Sequence, residues 1–125
     1  MEKKITSKVE PLVYFRQYLT IVNPLYDLSP RERDVLAYLL YLDYQYKDIP
    51  EKAREKLIFD YDSKIAISNE YDIPMATVNN IMTSLRKKSY HKESFILGKR
   101  INYRVPMLPK LDNVKNSLTF EFVVE

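Results

Sequence analysis

Residues 64–88 read K-I-A-I-S-N-E-Y-D-I-P-M-A-T-V-N-N-I-M-T-S-L-R-K-K, and this stretch predicts two short helices joined by a tight turn. In its second half Val78, Ile81, Met82 and Leu85 recur at spacings of three and four, which puts them on one helical face. Asn79, Asn80, Thr83, Arg86 and Lys87 fall on the other. In the first half Ile67 and Tyr71 lie one turn apart, with the small Ser68 beside them. A small residue is what a closely crossing second helix needs. Asp72, Ile73 and Pro74 form the link. A left-handed turn residue is cheapest as glycine; Asp72 departs from that, although aspartate visits the region more readily than most residues. Ile73 is expected to plug the space under the turn, and Pro74 to open the second helix after ending the first. The same pattern also suits an ordinary pair of packed core helices.

Two short β-prone runs follow, 95–97 (F-I-L) and 101–105 (I-N-Y-R-V), the second in strict alternation. Between them lies Gly98-Lys99-Arg100, and Gly98 is the only glycine in the chain. A hairpin tip that needs positive φ gives a lone glycine a direct reason. Helix, turn, helix, basic hairpin is the order of a winged helix domain, and the chain resembles that family from 28 to about 108. The run L-S-P-R-E-R-D-V-L at 28–36 also resembles the first helix of regulator and replication-initiator winged helices. The implied fold class is α+β, mainly α: a winged helix-turn-helix with an added N-terminal helix and a C-terminal β-strand.

A chain of 125 residues has room for one core. A hydrophobic share of 46% with one glycine argues for a packed, mainly helical domain, not a disordered chain. The absence of cysteine excludes disulfides, cysteine-ligated zinc and thiol catalysis. No signal peptide or membrane-length apolar run is read; 12–22 is too short and contains Arg16. The expectation is a cytoplasmic protein, or one carried in a virion assembled there, with no membrane partner. Net charge is only +3, but its distribution is uneven. From 74 to 104 there are seven basic residues (Arg86, Lys87, Lys88, Lys92, Lys99, Arg100, Arg104) against Glu93, or 7 − 1 = +6. The remainder therefore sums to 3 − 6 = −3. Positive charge gathers where a winged helix meets the phosphate backbone.

Three segments are expected: an arm and helix over 1–27, the winged helix domain over 28–108, and a linker and strand over 109–125. Residues 1–8 read as a frayed arm with three lysines. Leu12, Phe15, Leu19 and Val22 predict a helix from Pro11 that Asn23-Pro24 ends. Ser29 and Glu32 have capping-box spacing with Pro30 at the first helical position, and Val35, Leu36, Leu39 and Leu40 form the buried stripe behind them. Tyr38, Tyr41, Tyr44 and Tyr46 are expected as half-buried rims of the core. Asp48 is expected to cap a helix running to about Phe59, with Ala53, Leu57 and Ile58 inward and Lys52, Arg54, Glu55 and Lys56 in water. Asp60 to Ser63 caps the helix after it; the two aspartates there lack further metal ligands at suitable spacing. Leu118, Phe120, Phe122 and Val124 alternate in a closing strand, expected to join the wing sheet or a strand of another subunit.

No enzyme is expected. The lone histidine, His91, sits in a polar linker without a paired acid, and no phosphate loop or nucleophile motif is present. No cofactor or metal is implied. The family resemblance implies double-stranded DNA as partner, with the helix 75–88 in the major groove and the wing 95–105 on the backbone. Met75, Ala76, Asn79, Asn80 and Thr83 would face base edges, although two adjacent asparagines cannot both point straight in. Thr77, Arg86 and Lys87 would hold phosphates, and Lys99, Arg100 and Arg104 would add wing contacts. A rival reading is an adaptor or virion-assembly component that uses the same fold for contacts with itself or with other proteins. The small, Lys/Asn/Tyr-rich chain looks like a phage gene product, which suits transcription, replication, packaging or a particle ring.

Overall fold

The computed structural model describes residues 3–8, 10–109 and 119–124. The described residues form five helices: α1 (Pro11–Tyr26), α2 (Pro30–Gln45), α3 (Glu51–Ile58), α4 (Tyr61–Tyr71) and α5 (Met75–Lys87). β1 (Lys3–Lys8) precedes them. After α5 come β2 (Ser89–Tyr90), β3 (Glu93–Ser94), β4 (Ile96–Leu97) and β5 (Arg100–Ile101), and then β6 (Thr119–Val124). Each strand pairs with one antiparallel partner: β1 with β6, β2 with β3, β4 with β5.

The core is built around α2. Val35, Leu36, Ala37, Leu39 and Leu40 are all buried, so the helix is apolar on more than one face and is flanked by α1, α3, α4 and α5. Its start is the expected capping box: Ser29 Oγ accepts from Glu32 N at 3.2 Å, and Ser29 N donates to Glu32 Oε1 at 2.7 Å. The four tyrosines of this segment are half-buried against the core, as expected.

The first helix outruns its expected end. Proline removes one intrahelical donor, yet α1 continues through Pro24 to Tyr26. Tyr26 is buried, packs edge-on against Phe95 and donates to Pro106 O at 2.7 Å. Asn23 clasps Leu28 with two hydrogen bonds, of 3.1 and 2.9 Å. Tertiary anchoring thus carries the last turn, which closes at Asp27 with φ 56°. Because Phe15, Leu19, Val22 and Tyr26 share the core with α2, α1 is integral to it.

The middle helix is capped and oriented differently from expectation. Asp48 does not cap α3; Pro50 occupies that position without a side-chain bond, and its carbonyl accepts from Arg54 N at 2.9 Å. Ala53 and Leu57 are exposed, whereas Arg54 turns inward. Its Nε lies 2.7 Å from Asp43 Oδ1, and Tyr103 Oη donates to Asp43 Oδ2 at 2.5 Å. Arg54 also donates to the carbonyls of Lys47 and Ile49. This half-buried cluster joins α2, α3 and the segment after β5. It leaves Ile58 and Phe59 as the apolar contribution of the α3 region.

Asp60 caps α4, its Oδ1 accepting from Ser63 N at 2.8 Å. Composition predicts a frayed arm over 1–8, but Lys3–Lys8 is a strand aligned on Thr119–Val124, so the closing strand pairs with the arm and not with the wing hairpin. Leu118 lies outside the described residues. No helix among the described residues is long and apolar enough to cross a membrane.

Candidate nucleic-acid interface

The turn between α4 and α5 follows the chemistry of its residues. Asp72 takes the left-handed conformation (φ 51°, ψ 53°) that glycine would hold more cheaply. Its N–H and that of Ile73 both return to Ser68 O, the latter at 3.0 Å, while Ser68 Oγ donates to Ile73 O at 2.5 Å. Ser68 therefore closes the turn by hydrogen bonding as well as by being small. Ile73 is half-buried against the core, as a plug should be.

Across that turn α5 divides sharply. Val78, Met82 and Leu85 are at most 1% exposed and Ile81 8%, so this face is core. Ala76, Asn79, Asn80, Thr83 and Lys87 are exposed, while Met75, Thr77 and Arg86 are half-buried. Thr83 Oγ1 spends its proton on Asn79 O at 3.0 Å, leaving its oxygen to accept. No carboxylate occurs between Met75 and Lys88, so the outward face is polar to basic throughout.

Beyond α5 the described residues make two hairpins, one more than the sequence predicts. In the unexpected one, β2 and β3 are joined by His91 and Lys92, with φ 53° and 65°. Positive φ at both central residues is the requirement of a type I′ turn. His91 is exposed there and stacks edge-on against Tyr90. The second hairpin is the expected one: Ile96 pairs with Ile101 and Leu97 with Arg100, with Gly98 at φ +61°. Its second strand stops at Ile101, short of the predicted Val105. Asn102 is buried there and donates to Ser94 O and Glu93 Oε2, both at 2.8 Å, while its Oδ1 accepts from Arg104 N at 3.2 Å. An asparagine bonding its own following backbone makes a turn instead of a ladder. Arg104 is therefore exposed in a turn after the hairpin and not within it.

The seven basic residues separate into two groups. Lys88 turns away from the outer face: its Nζ donates to Glu32 Oε1 at 2.7 Å and to Asp27 O at 3.2 Å. Ser84 Oγ donates to the other oxygen of Glu32, which is only 4% exposed. Burial pushes the Glu32 pKa up, but hydrogen bonds from Lys88, Ser84 and Ser29 outweigh it and bring it down to about 2. Arg86 donates from Nε to Gly98 O at 2.8 Å, tying α5 to the hairpin tip. Lys87, Lys92, Lys99, Arg100 and Arg104 remain exposed. The Glu32–Lys88 pair and the Asp43–Arg54–Tyr103 cluster escape a reading of the sequence. Only the capping-box spacing points to Glu32 at all.

Comparison of the chain with family models, curated proteins and solved structures gave no match.

Proposed function

We propose that this chain is a non-catalytic DNA-binding protein of the winged helix-turn-helix type, with α5 as recognition helix and the β4–β5 hairpin as wing. The observation that carries the reading is the Arg86–Gly98 hydrogen bond of 2.8 Å. It fixes an acid-free, exposed helix face beside a hairpin tip bearing Lys99 and Arg100. Ala76, Asn79, Asn80 and Thr83 are the base-edge candidates, with Met75 at their margin. Asparagine suits bidentate pairing with adenine. Thr77, Lys87, Lys99, Arg100 and Arg104 are the backbone candidates, and Arg86 serves chiefly as the tie between helix and wing.

Titration of labelled duplexes selected from random sequence tests this. Asn79→Ala or Asn80→Ala is expected to lower discrimination by about 1–3 kcal/mol at one base pair with folding intact. Failure to retain any duplex would contradict the proposal.

A second reading, an adaptor or assembly protein, draws support from a different surface. A groove of about 600 Å³ lies between α1 and α2, lined in part by Val13, Arg16, Gln17 and Ile21. Val13, Ile21 and Leu25 are exposed on α1. A phage setting for either reading rests on composition alone.

A further inference from the structure

β1 and β6 form a ribbon of two six-residue strands, in the register Lys3↔Val124 through Lys8↔Thr119. Neither strand has a second partner among the described residues. A two-stranded ribbon is marginal in water, and each open edge presents unpaired N–H and C=O groups. The two edges differ in sequence. β1 (K-K-I-T-S-K) carries three lysines in six residues, a composition that discourages further pairing. β6 (T-F-E-F-V-V) carries Glu121 as its only charge and is rich in aromatic and β-branched residues. Its sequence lacks the lysines that protect β1.

We propose that the β6 edge pairs with β6 of a second copy, antiparallel about a two-fold axis. Such pairing gives a four-stranded sheet in the order β1-β6-β6-β1. Two features favour a second copy over another strand. The assembly closes, because the only edges left outside are the two lysine-bearing β1 strands. The sequence is also self-complementary when the axis passes through Phe122. Phe122 then lies opposite Phe122, Phe120 opposite Val124, and Glu121 opposite Val123. Aromatic and β-branched residues are thereby paired across strands, and no two carboxylates oppose. Phe120, Phe122 and Val124 alternate along the sequence of β6, and Ile5 of β1 is in register with Phe122. Pairing through β6 is independent of DNA binding by α5.

The chain has no cysteine, so an introduced one is the only thiol. Directly opposed residues in an antiparallel pair have Cα atoms about 4.5–5.5 Å apart, within disulfide reach. Oxidised full-length Phe122→Cys is expected to run as a covalent dimer, in higher yield than Glu121→Cys, and Lys4→Cys as a monomer. Light scattering on the wild type is expected to give twice the chain mass. Phe122→Lys is expected to halve it, with the helical circular dichroism unchanged. A monomeric wild type would overturn the proposal, as would a Phe122→Lys protein that stays dimeric or Lys4→Cys cross-linking in place of Phe122→Cys.

Discussion

Lys88, just past the last turn of α5, donates from Nζ to the buried Oε1 of Glu32 at 2.7 Å, across 56 positions of sequence. Glu32 at the same time closes the first turn of α2. One carboxylate therefore caps the central helix and fixes the end of the helix proposed to read DNA.

The folded Glu32 pKa of about 2 lies below its ordinary value of 4.5. Its contribution to stability is therefore complete above about pH 4.5 and is lost as pH falls toward 2. Thermal melts across that window should show a steep fall for the wild type and a shallower one for Glu32→Gln. Lys88→Met, which strips the carboxylate of its cation, should cost about 2 kcal/mol at neutral pH. Identical acid limbs for wild type and Glu32→Gln would disprove the assignment.

Leu85 is fully buried and Asn80 exposed on the same helix. Leu85→Ala should cost about 2–5 kcal/mol, and Asn80→Ala should stay within about 0.5 kcal/mol. Urea denaturation measures both. The reverse order would mean that the faces of α5 are exchanged.

Two left-handed residues should respond with opposite signs. Asp72→Gly relieves a non-glycine left-handed turn and should stabilise by up to about 1 kcal/mol. At Gly98 a Cβ would meet nothing within 4 Å, so Gly98→Ala should cost only the backbone penalty, about 1–2 kcal/mol. Chemical denaturation of the two variants decides.

In the Asp43–Arg54–Tyr103 cluster, Tyr103→Phe should cost about 1–2 kcal/mol by removing a hydrogen bond to a charged acceptor. Asp43→Ala should cost about 3–5 kcal/mol because it leaves a largely buried guanidinium without its anion. A double-mutant cycle should return a coupling above about 0.5 kcal/mol; independent effects would show that the three groups do not act together.

What is legible in the sequence is what local chemistry determines. Val78, Ile81, Met82 and Leu85 carry their own periodicity, Ser29 and Glu32 their own cap, and Gly98 its own turn. What is not legible depends on partners distant in the chain. Arg54 on a short helix reads as a solvated charge until Asp43 and Tyr103 draw it inward. Pro24 reads as a helix end until Tyr26 finds Phe95 and Pro106. His91 and Lys92 carry no glycine signal, so nothing in the sequence announces their hairpin. Lys88 counts toward the basic face until its acceptor, 56 residues away, is seen. The same division runs through the candidate site: the helix face can be read from spacing, while the tie from Arg86 to Gly98 cannot.

The salt dependence of duplex binding decides whether α5 and the β4–β5 hairpin hold a phosphate backbone. Fluorescence anisotropy of a labelled duplex, titrated with the full chain over a range of salt concentrations, should give a linear fall of log K against log salt. The slope should shrink by about 0.9 for each phosphate that a variant no longer neutralises. Lys87→Ala, Lys99→Ala and Arg100→Ala should each flatten it without lowering the melting temperature, since all three side chains are exposed. Duplex binding whose salt slope is the same in these variants as in the wild type, or no duplex binding at low salt, would rule out α5 and the hairpin as a DNA-binding surface.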